Sequence, residues 1–260
     1  MIDWLYSFPD WLLNAGWALF MAAAITVLPF LTQRLPWLRP TPENTDFVLR
    51  LQATLFTVTS IVVAFTLVQA EANYRKVDSL ISAEGSSINR LDRLLVRYGD
   101  AAAARVRPLL LTYTRSVVSD EWPEMLHGGG SERTQRAFGA VTRGVLALDP
   151  QSGRQTMLYG EILRAFDAIA ESRDSRLNAV TVSLSASFWE VVAFAVVILL
   201  FVSSAIERTR FRAVVLACQM AVLGSLIGFV FIVDQPFKGR SAVDPQPLQQ
   251  AIAIMEARDD

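Results

Sequence analysis

Four long stretches with almost no charged residue constrain the fold of this chain more than any other feature. They cover residues 11–31, 51–69, 188–206 and 214–233, and Glu190 is the only charged residue within them. Each stretch has about 20 residues, the length that an α-helix needs to cross the ~30 Å hydrocarbon core of a bilayer. The sequence therefore predicts an integral membrane protein with four transmembrane helices.

The polar segments between these stretches divide the chain into four predicted parts. Residues 1–70 form a first transmembrane hairpin, 71–187 an extramembrane helical stalk, 188–233 a second hairpin, and 234–260 a juxtamembrane turn with an amphipathic tail helix. The chain is 52% hydrophobic and 19% charged, which is too apolar for a soluble domain and too charged for a chain that lies wholly in lipid. The predicted fold class is all-α, because the stalk residues also follow helical spacing.

One row of stalk residues is apolar except for a single carboxylate. The row alternates at spacings of four and three residues and consists of Val77, Ile81, Glu84, Ile88, Leu91, Leu95 and Tyr98. Such a row forms one face of a helix, and no proline separates it from the second span, so we expect one long helix that leaves the membrane. A buried carboxylate needs a partner. We expect an arginine of the third or fourth stalk helix to pair with Glu84 in a structural salt bridge.

Glu190 is the second candidate for a buried charge. It lies within one turn of the start of the third span, beside Trp189, and tryptophan anchors helices at the membrane interface. Two interpretations remain open at this point. The carboxylate reaches the water at the lipid headgroups, or it is a functional group inside the membrane.

A stripe of neutral polar residues follows the second span. Gln52, Thr59 and Thr66 recur every seven residues, and Gln69 and Asn73 continue the row. Two interpretations compete for this stripe. Such residues commonly form hydrogen bonds between transmembrane helices, and the same residue types also line water-filled permeation paths. The five residues are therefore pore-lining candidates, and helix packing is the commoner use of such a stripe.

The fourth span carries small residues on one face. Ala217, Ala221, Gly224 and Gly228 recur at spacings of four, three and four residues. Small side chains let the backbones of neighbouring transmembrane helices approach closely. We therefore expect this face to pack tightly against another span.

Signals of catalysis and of cofactor binding are missing from the sequence. The single histidine, His127, and the single cysteine, Cys218, cannot make a metal-ligand set, and neither a nucleophile elbow, a phosphate loop nor a dinucleotide fingerprint is present. We expect no enzyme, no cofactor and no metal site. Basic and acidic residues nearly cancel, with a net charge of −1, which argues against a nucleic-acid partner.

Three segments, taken in order, resemble landmarks of a bacterial family of bestrophin-like membrane proteins that was first named for a domain of unknown function. The segments are "AEANYRKVDSLISAEGSSI", "TYTRSVVSDEWPEM" and "VDQPFKGRSAVDPQPL". The second contains the motif Glu121-Trp122-Pro123, and the third contains Asp234, Pro236, Phe237 and Gly239 in the pattern Asp-x-Pro-Phe-x-Gly. The resemblance runs over essentially the whole chain, and Glu84 falls where the family places a glutamate after the second span.

The resemblance implies an oligomeric anion channel of the bacterial inner (plasma) membrane, with several spans per chain and the second span lining the pore. It also implies that the stalk and both termini are cytoplasmic, whereas the basic residues of the short loops favour the opposite orientation. The acidic run with which bestrophins bind calcium has no counterpart here, so the resemblance implies no calcium site.

Two hypotheses about function follow. The first is a pore-forming homo-oligomer whose partners are membrane lipid, further copies of the chain and small anions. The second is a membrane-anchored helical scaffold or sensor that conducts nothing and binds a partner through its stalk. The polar stripe of the second span distinguishes the two hypotheses, because only the pore hypothesis requires the stripe to face water.

Overall fold

The computed structural model describes residues 3–32, 41–125 and 128–258 of the chain. Within these residues all regular structure is helical, which confirms the predicted all-α fold class. The histidine at position 127 lies outside the described residues.

Nine α-helices follow one another in the described part of the chain. They are α1 (Asp10–Thr32), α2 (Pro42–Tyr98), α3 (Ala101–Ser116), α4 (Trp122–Met125), α5 (Glu132–Leu146), α6 (Gly153–Ala179), α7 (Ala186–Ser204), α8 (Arg210–Val233) and α9 (Gln246–Glu256). A short 3-10 helix (Asp3–Ser7) precedes α1, and a π-helical turn (Val117–Glu121) joins α3 to α4.

Four helices, α1, α2, α7 and α8, are long and apolar enough to cross a membrane. This result confirms the prediction of a helical protein with four candidate spans. Helix α2 has 57 residues, far more than the ~20 that a span requires. It runs without interruption from the second apolar stretch into the polar stalk sequence, as the proline-free row of residues predicts.

The contacts separate into two compact units, of which the first is the membrane unit, Met1–Tyr74 and Ser183–Ala242. Its core is built from the inward faces of α1, α2, α7 and α8 and includes Met21, Val63, Leu199 and Met220. The helices remain apolar on their outward faces as well, where Phe20, Phe65 and Phe194 are exposed. Apolar faces on both sides of a helix are the pattern of a span that contacts its neighbours and lipid.

Helices α8 and α1 of the membrane unit approach each other closely at two glycines. A Cβ atom added to Gly224 would lie 2.5 Å from the carbonyl oxygen of Trp17 and 2.8 Å from Cγ of Met21. At Gly228 the nearest atom is Cβ of Trp17, at 3.0 Å. The two helices can approach this closely because glycine has no side chain, which is the packing that the small-residue face of the fourth span predicts.

The second unit is the stalk unit, Arg75–Val182 and Val243–Asp260. Helix α2 contributes the apolar row of the sequence, whose members Ile81, Ile88, Leu91 and Leu95 are fully buried. Helices α3, α5 and α6 pack around this row with their own buried residues, among them Leu110, Val145 and Ile169. The stalk unit therefore has a hydrophobic core of its own.

The tail helix α9 belongs to the stalk unit. Its buried face consists of Leu248, Ala251 and Met255, and Arg115 of α3 forms an ion pair of 2.6 Å with Glu256. A Cβ atom at Gly85 of α2 would lie 2.8 Å from the carbonyl oxygen of Pro247. The amphipathic tail thus packs against α2 and α3 of its own stalk.

Candidate functional site

A long candidate surface is one exposed face of α2, on which Arg90 forms an ion pair with Glu161 of α6. Its residues follow one another at helical spacing and are all exposed: Thr54, Val58, Ile61, Phe65, Val68, Ala72, Arg75, Ser79, Ser82, Ser86, Arg90, Arg93 and Arg97. We call this face the outward seam. Its first part is mainly apolar, its middle carries small hydroxyl side chains, and its end is basic.

The predicted pore-lining stripe lies on the opposite side of α2. Gln52, Thr59 and Thr66 are all buried inside the chain, the two threonines almost completely. The amide of Gln52 donates a hydrogen bond of 2.9 Å to Oε1 of Gln219 on α8, and the hydroxyl of Thr66 donates to the carbonyl oxygen of Val62. The structure therefore corrects the pore-lining interpretation of these three residues, because they pack against the other spans of the same chain.

The last two residues of the stripe differ from the first three. Gln69 is exposed and Asn73 is half-buried, and the amide of Gln69 donates to Oδ1 of Asn73 at 3.4 Å. Both lie near the point at which the apolar stretch of α2 ends. They keep their place as pore-lining candidates at the margin of the outward seam.

A cluster of four charged side chains lies at the centre of the stalk unit. Glu84 of α2, Glu121 of the π-helical turn and Arg176 of α6 are completely buried, and Arg173 of α6 is 5% exposed. We call these four residues the buried charge cluster. Its two carboxylates and two guanidinium groups balance each other, as burial of ions requires.

Arg176 connects the two acids. Its Nε donates to Oε2 of Glu84 at 2.7 Å, and its Nη2 donates to Oε1 of Glu84 at 3.2 Å and to Oε2 of Glu121 at 2.9 Å. Arg173 donates from Nη2 to Oε1 of Glu121 at 2.6 Å and from Nη1 to Oε1 of Gln135 at 2.5 Å. The cluster therefore ties α2, α5, α6 and the π-helical turn together.

Burial and charge shift the pKa values of Arg176 and of the adjacent Tyr113. Burial disfavours the charged form of Arg176, but the adjacent Glu84 carboxylate outweighs this effect and raises the pKa of Arg176 above its usual value. Tyr113 of α3 donates a hydrogen bond of 3.0 Å to Oε1 of Glu84. Burial and the charge of Glu84 raise the pKa of Tyr113 well above its usual value, so the phenol remains a donor.

The first residue of the Glu-Trp-Pro motif, Glu121, belongs to the buried charge cluster. The π-helical turn, a feature that often occurs at functional positions, ends at Glu121, whose carboxylate is inside. The ring of Trp122 lies 5.8 Å from the guanidinium carbon of Arg176, within the range of a cation–π interaction. Pro123 follows on the exposed side.

The second motif joins two helices of the membrane unit. Asp234 follows the end of α8 and accepts hydrogen bonds from the backbone N–H of Leu184, at 2.6 Å, and from the indole N–H of Trp189, at 3.3 Å. Burial raises the pKa of Asp234, and these two hydrogen bonds oppose the rise. The carboxylate of Asp234 thus connects the end of α8 to the start of α7.

The remaining residues of this motif form the turn. Phe237 is buried and Pro236 is not a helical residue. Gly239 has a φ of 82°, a conformation that favours glycine, and a Cβ atom there would lie 3.4 Å from the ring of Tyr6. The motif therefore fixes the turn against the segment that precedes α1.

Glu190 is not a buried charge. It lies in the second turn of α7 on an exposed face of the chain, whereas its neighbour Trp189 turns inward to Asp234. Of the two interpretations of Glu190, this exposure favours the one in which the carboxylate reaches water at the lipid headgroups. Trp189 and Glu190 face different ways because consecutive helical residues point about 100° apart.

The sequence predicts an arginine partner for Glu84, and Arg176 is that partner, but neither Arg173 nor Arg176 is identified there by number, although their positions carry a signal. Ile162, Phe166 and Ile169 of α6 are buried at spacings of four and three residues, and Arg173 and Arg176 continue that row. Glu84 of α2 shows the same pattern, a charged residue in an otherwise apolar row of a helix. Among the described residues, no group of three or more histidine, cysteine, aspartate or glutamate side chains has the arrangement of a metal site.

Known families and structures share this fold. The family model described as "Bestrophin-like domain" matches residues 16–248. A crystal structure of a bacterial bestrophin homolog from Klebsiella pneumoniae has a TM-score of 0.63 and 15% sequence identity, covering 95% of this chain and 94% of that chain. A variant of that homolog has a TM-score of 0.61 and 16% identity, covering 95% of both chains. No curated protein matches the chain in sequence.

Proposed function

Because the chain belongs to the Bestrophin-like domain family, we propose that it forms a homo-oligomeric membrane pore that conducts small anions. Copies of the chain turn the outward seam of α2 toward a common axis. The observation that carries the proposal is the exposure of this seam at every one of its residues from Thr54 to Arg97. Lipid contact explains only its apolar part, since the serines and arginines of the stalk cannot lie in hydrocarbon.

The apolar part of the seam supplies a constriction. Val58, Ile61, Phe65 and Val68 are 50–71% exposed, and the same residues from several copies form stacked apolar rings. A hydrophobic constriction excludes water when it is narrow and gates a pore by dewetting. One chain cannot enclose such a path, so the activity requires the oligomer.

The basic end of the seam favours anions. Arg93 and Arg97 are exposed and form no ion pair with a carboxylate of the described residues. Repeated around an axis, such charges create a positive potential that raises the local concentration of anions and speeds their entry. Salt screens this effect over about 8 Å at physiological ionic strength, so selectivity falls as the salt concentration rises.

The test is chloride flux into liposomes that contain the purified full-length protein, with Phe65→Ala as the variant. Removing the ring from the constriction widens it and lowers the cost of wetting, so flux rises several-fold. Phe194→Ala is the matched control, because Phe194 of α7 is 69% exposed and Phe65 is 71% exposed, yet only Phe65 lies on the seam. We expect flux through the control to equal that of the unmodified protein.

Two outcomes contradict the proposal. If both variants change the flux equally, the seam does not line the path. If the assembled protein conducts no ion in either variant, the function is that of a non-conducting scaffold or sensor, and the outward seam is a surface for another protein.

A further inference from the structure

Arginines alternate with other residues at the point where α7 passes into α8 in the membrane unit. They are Arg208, Arg210 and Arg212. Among the described residues, only Arg212 has a carboxylate within ion-pair distance, that of Glu207 at 3.3 Å. Arg210 is exposed. Since α8 is apolar enough to span a membrane, its first residues lie at the depth of the lipid headgroups.

Helix α1 holds the guanidinium group of Arg208 in place. Its Nη1 donates a hydrogen bond of 2.9 Å to the carbonyl oxygen of Thr26, and its Nη2 donates to the carbonyl oxygen of Ile25. The carbonyl of Ile25 has no donor within its own helix, because Pro29, four residues later, lacks an N–H group. A guanidinium group has five N–H donors, and only these two hydrogen bonds of Arg208 end on described residues. The other donors are available to an acceptor from outside the chain.

The charge of Arg208 lacks a counterion among the described residues. Burial lowers the pKa of Arg208 below its usual value, and a half-buried cation beside hydrocarbon is costly unless an anion pairs with it. The hydrogen bond from Gln52 to Gln219 places the first turns of α2 at the same end of the membrane unit. Among the described side chains of this end, the carboxylates of Asp46 and Glu207 are outnumbered by arginines. This end therefore attracts anions.

An exposed apolar stripe of α8 begins beside the arginines. It consists of Phe211, Val214, Val215 and Val222. Arg210 and Val214 are four residues apart, so their side chains are neighbours on the surface of the helix. A ligand that matches both features has an oxyanion for the guanidinium groups and a hydrocarbon chain for the stripe.

We propose that Arg208 and Arg210 bind the phosphate group of an anionic phospholipid whose acyl chain lies along the stripe of α8. The phosphate oxygens accept hydrogen bonds from the available N–H groups of Arg208 and from Arg210. Arginines next to a membrane span favour lipids with a net negative charge over zwitterionic lipids. The site does not require that the protein conduct ions.

The test is native mass spectrometry of the delipidated full-length protein in detergent, titrated with phosphatidylglycerol and with phosphatidylcholine of the same acyl chains. We expect phosphatidylglycerol to bind at least several-fold more tightly, and equal affinities overturn the proposal. Inorganic phosphate is the competitor, because it has the oxyanion and no acyl chain. Displacement of phosphatidylglycerol by an equal concentration of phosphate would mean that the arginines take a free anion, which also overturns the proposal.

Two variants make the test specific to these arginines. Arg210→Gln lowers the affinity for phosphatidylglycerol about fivefold, because one arginine near an anionic headgroup contributes about 1 kcal/mol. Binding of phosphatidylcholine stays unchanged. Arg50→Gln is the matched control, because Arg50 is exposed at the same end of the membrane unit but belongs to α2, and we expect it to bind phosphatidylglycerol as the unmodified protein does.

Three results with the variants contradict the site. An equal loss of affinity in Arg210→Gln and Arg50→Gln would reveal general attraction of anionic lipid. Unchanged affinity in Arg210→Gln would exclude this arginine from the site. A loss of affinity in Arg210→Gln that accompanies loss of the oligomer would make the stripe of α8 a contact between copies of the chain.

Discussion

Arg176 and Glu84 lie 92 residues apart in the sequence and form a bidentate ion pair, with donor–acceptor distances of 2.7 and 3.2 Å, in which both side chains are completely buried. A bidentate arginine–carboxylate pair fixes the relative orientation of its two helices as well as their distance. It also makes the stalk sensitive to loss of either member. Without Arg176, Glu84 is a buried charge without a counterion, and without Glu84, Arg176 keeps only Glu121.

The first prediction concerns Glu84→Gln in the stalk. The substitution preserves the shape of the side chain but leaves the positive charge of Arg176 without its nearest carboxylate. Removing one member of a buried pair costs about 3–5 kcal/mol, so we expect the free energy of unfolding of the stalk unit to fall by about that amount. Hydrogen exchange of the buried α6 amides in the purified protein measures the change.

Glu161→Gln is the control for this experiment. Glu161 pairs with Arg90 at 2.5 Å, but the arginine side chain is 55% exposed. Such a surface pair contributes less than about 1 kcal/mol, and we expect little change in exchange. Equal losses of exchange protection in Glu84→Gln and Glu161→Gln would contradict the prediction, because the buried ion pair would then stabilise the stalk no more than the surface pair does.

The sequence predicts the spans and the position of Glu84 for simple physical reasons. A transmembrane helix depends mainly on length and local composition, so the four spans follow from the sequence directly. Glu84 is conspicuous because it interrupts an apolar row that must be buried. Arg173 and Arg176 occupy an equivalent row in α6, but an arginine can extend from the edge of a row to water, so the row alone does not predict burial.

The facing direction of α2 does not follow from its sequence. The seven-residue spacing of Gln52, Thr59 and Thr66 correctly places them on one face of a helix. Whether that face contacts α8 or an aqueous path depends on the other helices, because both environments accept neutral polar side chains. The partner of Gln52 is likewise a tertiary contact, 167 residues away.

A second prediction tests whether the stripe of Gln52, Thr59 and Thr66 serves helix packing or ion conduction. Gln52→Leu and Gln219→Leu each leave one amide without its partner inside the membrane unit, and the double variant removes both. Hydrogen bonds between spans contribute about 0.6–2 kcal/mol, so each single variant lowers the melting temperature, and the double variant loses less than the sum of the two. We expect chloride flux per assembled protein to stay unchanged in all three. A fall in flux without a loss of stability would return Gln52 to the conduction path.

A third prediction follows from the raised pKa of Asp234. Burial raises this pKa above its ordinary value of 3.8, so the folded protein binds the proton more tightly than the unfolded chain does. The stabilising contribution of protonation is complete below about pH 3.8 and is lost as the pH rises through the raised pKa. Asp234→Asn preserves an acceptor for the N–H of Leu184 and carries no charge.

The measurement is the melting temperature of both proteins from pH 3.5 to 7. We expect the stability of Asp234→Asn relative to the unmodified protein to increase with pH above about 3.8 and then to level off. Parallel curves over the whole range would contradict a raised pKa at this position.

The last prediction concerns the contact between α1 and α8. In Gly224→Ala the new methyl group meets the backbone oxygen of Trp17 at 2.5 Å, and a backbone atom cannot move aside as a flexible side chain can. The helices must separate, at a cost of about 1–3 kcal/mol for overpacking, so the melting temperature falls.

Gly16→Ala is the matched control, because nothing lies within 4 Å of its added Cβ atom. Alanine is the better helix former by about 1 kcal/mol, so this control is neutral or slightly stabilised. A fall in melting temperature in Gly16→Ala equal to that in Gly224→Ala would mean that the effect arises from the substitution itself and not from the contact with Trp17.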